Sequence, residues 1–538
     1  MDRRLFRERL PFDEIRASFQ WDVPKFLNMA VACCDDWSAK FPNRIAITHV
    51  KSDGRASDYS YLDLRRQSNQ LANVLTANGT VSGDRVAVLL SQSPQIPISH
   101  FAAWKIGAIS VPLFTLFGED GLQYRLADSG ASVVITDLAN LPKVLAIRGN
   151  LPKMKTVLIT DGHGPGCLSM AEEMARASDV FQPKRTLAED DAIIIYTSGT
   201  TGPPKGALHA HRFLLGHRPA VELQHEFFPQ PGDKGWTPAD WAWIGGLMNT
   251  AMSCLYYGVP LVSHRMTKFD PEAAYRLIET QGIRNMFLPP TALKMMRQHP
   301  PQSRLAVRTI MSGGESLGAD MLDWGNATFG CAFNETYGQT ECNLCLTSVA
   351  GLGVQKPGAI GKAVPGFDVQ ILDADGRLAR IGEIGQIAVR QGVPVMFKRY
   401  WQADEKTKEK LVDGWMLTGD LGAVDEEGYI TFSSRDDDVI TSAGYRIGPT
   451  EIENCLTGHP DVAMAAVVGI PDPLRTEVIK AFVVLRDGAD LGDLERVLIE
   501  RVRVRISPHC APRSIEVVDK MPMTATGKIM RRELRDRG

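Results

Sequence analysis

Between Tyr196 and Gly206 the chain reads Tyr-Thr-Ser-Gly-Thr-Thr-Gly-Pro-Pro-Lys-Gly, which is three glycines, four Ser/Thr hydroxyls and one lysine in eleven residues. Glycines let backbone N–H groups crowd an anion, and hydroxyls and an ammonium add donors, so the stretch suits a polyphosphate. It is not a Walker A loop. That motif needs Gly-Lys followed by Ser or Thr, whereas Lys205 follows Pro204 and precedes Gly206. A nucleotide must be gripped some other way, and three further stretches carry residue types that could take part. Ser312-Gly313-Gly314-Glu315 offers two glycines, which leave room for a flat base. Asn334 to Glu341 brings together an aromatic face at Tyr337, a hydroxyl at Thr340 and a carboxylate at Glu341, the types that base, phosphate and metal require. Trp415 to Asp420 ends in a carboxylate suited to two parallel O–H donors.

Strands and helices must position these groups. Short β-rich runs (Arg85–Leu90, Val133–Thr136, Thr156–Thr160, Asp191–Tyr196) alternate with longer helical patterns such as Tyr61 to Ala77. Such alternation predicts α/β units with largely parallel sheets. After Gly351 the texture changes to Gly-Asp, Asp-Gly and Pro-Gly turns with short strands between them (Val369–Leu372, Gln386–Val389, Tyr429–Phe432). That predicts a small antiparallel barrel or sheet. The polar knot Ser433 to Asp438 precedes a compact α+β run, so the expected domains are 1–434 and 435–538. The run comprises a helix near Pro449 to Leu456, strands Val462 to Ile470 and Lys480 to Leu485, a helix Leu491 to Val504 and a strand Ser514 to Val518.

Composition narrows the function classes. With 538 residues, 44% hydrophobic, 23% charged and a net charge of −3, the chain reads as an ordinary globular enzyme and gives no electrostatic reason to expect nucleic acid. No apolar run reaches the roughly 18 residues that span a bilayer. The nearest, Phe101 to Phe117, is interrupted by Lys105 and reads as buried core. The arginine-rich N-terminus carries Asp2 and Glu8 and lacks a secretory apolar core, and nine scattered cysteines fit a reducing compartment. A cytoplasmic location is therefore expected ahead of the mitochondrial matrix. Cys342-x-x-Cys345 has no second pair and no neighbouring histidine, so packing is expected of it.

Taken in order, these motifs resemble those of the adenylate-forming superfamily, and the match, along nearly the full length, looks closest to the medium-chain acyl-CoA synthetases. The resemblance implies that the loop holding Thr197, Ser198, Gly199, Thr200, Thr201 and Lys205 clamps the β- and γ-phosphates of ATP. It implies that Gly313, Gly314 and Glu315 frame adenine and that Glu335, Thr336 and Tyr337 belong to the nucleotide site, with Tyr337 stacked on the base. Thr340 would bond the α-phosphate, Glu341 would help hold Mg²⁺, and Asp420 and Arg435 would reach the ribose. Asp437 matches the hinge, Gly444, Tyr445 and Arg446 match the strip lining the CoA tunnel, and Lys528 matches the catalytic lysine. Thr441 departs from the pattern, since relatives commonly carry Lys or Asn there.

The implied reaction is carboxylic acid plus MgATP to acyl-AMP and pyrophosphate, then CoA to acyl-CoA and AMP. ATP, Mg²⁺ and CoA are thus the expected co-substrates and cofactor, with no nucleic-acid partner, no membrane span, and homo-oligomer formation left open. Trp241, Trp243 and Gly245 are expected to line the acyl pocket. Gly338 stands where acetate-using relatives carry a tryptophan, which implies room for a medium or branched chain. The alternative is an aryl-acid CoA ligase, or a stand-alone adenylating enzyme that loads a carrier protein.

Overall fold

The computed structural model describes residues 2–197, 203–314, 317–435, 438–442, 445–472, 476–486, 488–489, 493–506, 508, 510–524 and 527–537. It is a mixed α/β structure with a large N-terminal part and a smaller C-terminal one.

Two extended sheets carry the N-terminal part. One has eight strands, with Asp191–Thr197, Ile109–Pro112, Arg85–Leu89, Val133–Thr136 and Thr156–Ile159 running parallel through its centre. The other has nine, with Ala332–Gln339, Thr309–Gly313, Asn285–Phe287, Gly235–Trp236, Leu261–His264 and Ile45–Val50 parallel in succession. Parallel strands need covered faces and read as continuous apolar runs, and Val133–Thr136 and Thr156–Ile159 are buried at every position. The helix Tyr61–Ala77 starts where the sequence expects, at a capping box in which Ser60 accepts from the Asp63 backbone and Asp63 accepts from that of Ser60.

The apolar stretch around Phe101 forms a core helix, Gln95–Ile106, buried from Ile96 to Ile106. A helix apolar all round belongs in the interior. Its one charge, Lys105, is fully buried and satisfied by Asp35 at 2.8 Å, Ser68 at 2.9 Å and Asn69 at 2.7 Å. No helix among the described residues is long and apolar enough to cross a membrane.

Strands Val369–Leu372, Gly385–Arg390, Leu411–Val412, Trp415–Val424 and Ile430–Arg435 form the antiparallel unit the turn-rich texture predicts. Beyond it lies a five-stranded sheet built on the hairpin Val462–Asp472 and Thr476–Leu485. Side chains alternate across this sheet. Ala465, Val467, Ala481 and Val483 pack with the helices Pro449–Thr457 and Leu494–Arg505, while Ala466, Val468 and Phe482 pack with Met521 and Leu534. Both of these cores draw only on residues from 440 onward.

Candidate active site

The motif residues converge on one cavity of about 1270 Å³ walled by both parts of the molecule. Thr197 and Lys205 reach it from paired strands, Asp191–Thr197 and Lys205–Ala210, in which the two residues lie opposite each other. Of the loop between them, Ser198, Gly199, Thr200 and Thr201 lie outside the described residues, as do Glu315, Asp437 and Gly444.

Glu335, Thr336, Tyr337, Gly338, Thr340 and Glu341 line the cavity from the strand Ala332–Gln339 and the turn after it. Gly314 enters from the neighbouring strand end, and Asp420 from Trp415–Val424. Asp420 is the cross-strand partner of Arg435, so pairing alone brings those two backbones together. Lys528 faces the same space from a tight loop of the C-terminal part, closed by a bridge between Met523 and Ile529 and by the Thr524 N–H donating to the Lys528 carbonyl at 2.7 Å. Gly527 takes φ +84° there, a conformation that favours glycine. Tyr445 and Arg446 lie on the short strand Tyr445–Ile447, which pairs with Ile440–Ser442.

Several side chains are preset by contacts that the sequence did not disclose. One carboxylate oxygen of Asp420, Oδ2, accepts the Tyr337 hydroxyl and the Gln339 amide, both at 2.6 Å. Lys410 donates to Gln339 at 3.0 Å and to the Thr418 carbonyl at 2.8 Å, completing the support. Gln339 lies within the Asn334–Glu341 stretch, and Lys410 ends the charged helix Asp404–Lys410. Tyr400, also missed, donates to Glu341 at 2.5 Å. It lies in a cluster of aromatic and basic residues with no recognisable period.

Electrostatics follow from burial. Glu335 accepts one N–H, from Leu317 at 3.1 Å, and burial pushes its carboxyl up to about 7. Burial pulls the Lys205 ammonium below its usual value, and nearby Glu341 opposes that. Burial and the neighbouring Asp420 raise the Tyr337 hydroxyl, which stays a neutral donor.

Three residues expected at the acyl pocket have distinctive surroundings. Trp241 is fully buried in the main core and is not part of this cavity's wall, whereas Trp243 is. Gly245 also lies off the cavity wall, and a Cβ there would come 2.8 Å from Phe287 and 3.0 Å from Trp243, so this glycine lets two rings pack. Gly338 does line the cavity, but a Cβ on it would meet the Asn343 carbonyl oxygen at 1.5 Å. The glycine is therefore required by backbone approach within a hairpin and does not itself argue for acyl-chain room. Gly313 is similar, its Cβ position lying 2.4 Å from the Thr336 carbonyl, while Gly314 takes φ +101° beneath the Trp243 ring. Cys342 and Cys345 are buried free thiols, as packing predicts.

The chain matches the family model of the AMP-binding enzyme over residues 34–401 and that of the AMP-binding enzyme C-terminal domain over 451–528. It is 33% identical over 526 residues to the acetyl-coenzyme A synthetase of Bacillus subtilis (strain 168), covering 95% of this chain and 90% of that one. It is 34% identical over 530 residues to the mitochondrial acyl-coenzyme A synthetase ACSM4 of Rattus norvegicus, covering 96% and 91%. Its fold is similar to the crystal structure of the anthranilate CoA ligase AuaEII in complex with anthranoyl-AMP, with a TM-score of 0.87, 27% identity, and 96% and 98% of the two chains covered.

Proposed function

The chain belongs to the AMP-binding enzyme family, and from that premise we propose that it joins a medium-chain or branched fatty acid first to AMP and then to CoA. It is an acyl-CoA synthetase, an AMP-forming acid–thiol ligase that uses ATP, Mg²⁺ and CoA.

The observation that carries the reading is the shared cavity, where Lys528 of the C-terminal part faces Thr340, Glu341 and Asp420 of the N-terminal part. When an acid oxygen attacks the α-phosphate, negative charge grows on the phosphoryl oxygens, and an ammonium placed against both reactants lowers that barrier. Lys528 takes this role, and Thr340 holds the α-phosphate by a hydroxyl bond. Asp420, already the acceptor of two donors, exchanges part of that set for the ribose hydroxyls, while Tyr337 turns its ring to the base. Lys205 and the Ser/Thr residues of its loop hold the leaving pyrophosphate by charge-assisted bonds.

Mg²⁺ suits the residues present. No cluster of three or more His, Cys, Asp or Glu side chains forms a metal cage among the described residues. Glu341 instead offers a single hard carboxylate at the cavity wall, and Mg²⁺ is typically bound through one or two carboxylates plus substrate phosphates. When bound, it neutralises phosphate charge.

The pivot belongs at Asp437, and strand pairing keeps Arg435 with the N-terminal part, so the boundary falls just after it, one residue beyond the expected 434/435. Arg435 is tied to Asp420 by strand pairing, whereas Asp438 is tied to the last helix by Arg531 at 3.1 Å and Arg535 at 2.7 Å. Anchors on both sides leave 436–437 for the turn. Gly444, Tyr445 and Arg446 then serve the thiol step.

For the acid, the support is an apolar wall, since Phe114, Ala242, Trp243 and Ile360 line part of the cavity. All nine cysteines are free, which fits a reducing compartment such as the cytoplasm. CoA-dependent AMP release, measured with acetate, hexanoate, octanoate, 2-methylbutyrate, benzoate and anthranilate, tests the assignment. Hexanoate, octanoate or the branched acid should give the highest kcat/KM. Equal or better turnover of acetate or of an aryl acid would sink the fatty-acid assignment, and AMP release indifferent to CoA would favour a carrier-loading enzyme.

A further inference from the structure

The segment Phe397 to Gln402 belongs to none of the motifs above, yet it is stitched to both sides of the phosphate end of the cavity. Its strand Arg399–Tyr400 pairs with Lys205–Ala210, setting Tyr400 opposite Ala207. The Lys398 N–H donates to the Leu208 carbonyl and the Trp401 N–H to the Gly206 carbonyl, both at 2.7 Å, so the strand carrying Lys205 is fixed along its length. The other stem of the same loop is held too. Trp401 and Gln402 donate to the Asp128 carbonyl at 3.1 and 2.8 Å, and the Asp128 carboxylate accepts the Tyr196 hydroxyl at 2.5 Å.

From its opposite end the segment grips Glu341 twice. The Phe397 N–H donates to the Glu341 carbonyl at 2.7 Å, and the Tyr400 hydroxyl donates to Glu341 Oε1 at 2.5 Å. The Lys205 ammonium lies 4.9 Å from the centre of the Tyr400 ring, within cation–π range. One buried side chain thus meets the loop's cation with its ring and the candidate metal-holding carboxylate with its O–H.

We propose that Tyr400 is a positioning residue for the nucleotide-bound divalent cation. It fixes the plane of the Glu341 carboxylate by occupying Oε1, and sets Oε2 and the Lys205 ammonium in fixed relation to each other. A terminal carboxylate rotates in a broad well, so one pinned oxygen removes most of that freedom before the ligand arrives. Among the described residues Tyr400 is the only hydrogen-bond donor to this carboxylate. A neutral O–H orients the group without cancelling the charge a cation needs, as a lysine there would.

The proposal rests on the ligase reading, and the test separates the two. Calorimetric titrations of wild type and Tyr400→Phe, with no acid or CoA present, compare Mg²⁺-ATP with ATP in EDTA. Wild type should bind Mg²⁺-ATP more tightly. Tyr400→Phe, which keeps the ring under Lys205, should lose about tenfold of that magnesium-dependent gain, the scale of a hydrogen bond to a charged group. Its metal-free ATP affinity should stay within about twofold of wild type, since the ring contact is intact. The rises in melting midpoint that Mg²⁺-ATP and ATP produce read the same contrast in a destabilised variant. An unchanged magnesium gain, or equal weakening of both titrations, overturns the positioning role and leaves the ligase reading standing. A wild type that gains nothing from magnesium overturns both.

Discussion

At the scale of single residues, Glu335 shows how burial sets chemistry. Its carboxyl accepts one backbone N–H and sits at about 7 in the fold, against 4.5 for an ordinary glutamate. Between those values the folded protein holds a proton that the unfolded chain releases, so stability falls as pH rises through that window and levels above it. Glu335→Gln keeps an acceptor for the Leu317 N–H and removes the buried charge. Thermal melts should show the variant more stable than wild type by roughly 3 kcal/mol at pH 8, with the difference vanishing near pH 4.5. A constant difference at every pH would mean that Glu335 does not titrate in this range. The residues expected to touch a nucleotide are legible in the sequence, because base, phosphate and ribose each demand a distinctive side-chain type. Gln339, Lys410 and Tyr400 were not, because a residue that orients another can be of many types and is identified only by where the fold puts it.

At the scale of elements, the helix Tyr61–Ala77 and most strand positions agree with the sequence pattern to within a residue or two, since periodicity and end signals are local. The contacts between elements are not local, and Gly338 shows what they add. The strands Ala332–Gln339 and Asn343–Thr347 pair with a register shift after Tyr337, and Asn343 takes φ +47°. That irregularity drives the Asn343 carbonyl onto Gly338, which is an event in the partner strand and leaves no mark on the Tyr-Gly-Gln-Thr motif itself. Gly338→Ala should therefore behave as an overpacked hairpin, costing about 3 kcal/mol in thermal or denaturant melts. Adenylation of every acid should fall together, because Tyr337 and Thr340 flank the distorted point. Normal stability with a selective loss of long acids would show instead that position 338 acts through the acyl pocket alone.

At the scale of the whole molecule, three glycines mark places where the two parts approach each other through polar groups. A Cβ on Gly458 would lie 3.0 Å from the Asp320 carboxylate, one on Gly318 3.6 Å from the Asn454 amide, and one on Gly527 3.4 Å from the Thr291 hydroxyl. Each C-terminal core is complete without N-terminal residues, so parting the two exposes little apolar surface, and relative motion is the default for such an interface. With Lys528 at the cavity and the strip Gly444 to Arg446 expected to serve the thiol, one C-terminal part holds the groups for two different steps. If it turns about 436–437 between them, each step can be lost without the other. Lys528→Ala should lower acid-dependent ATP–pyrophosphate exchange by about two to three powers of ten, the scale of removing a preorganised contact to developing charge. It should still convert supplied acyl-AMP and CoA to thioester. Gly444→Leu should do the reverse, retaining exchange while failing with acyl-AMP and CoA, as expected if the strip Gly444 to Arg446 lines the path of the thiol. Comparable loss of both half-reactions in both variants would mean that a single fixed arrangement serves the whole reaction, and the pivot at Asp437 would have no role.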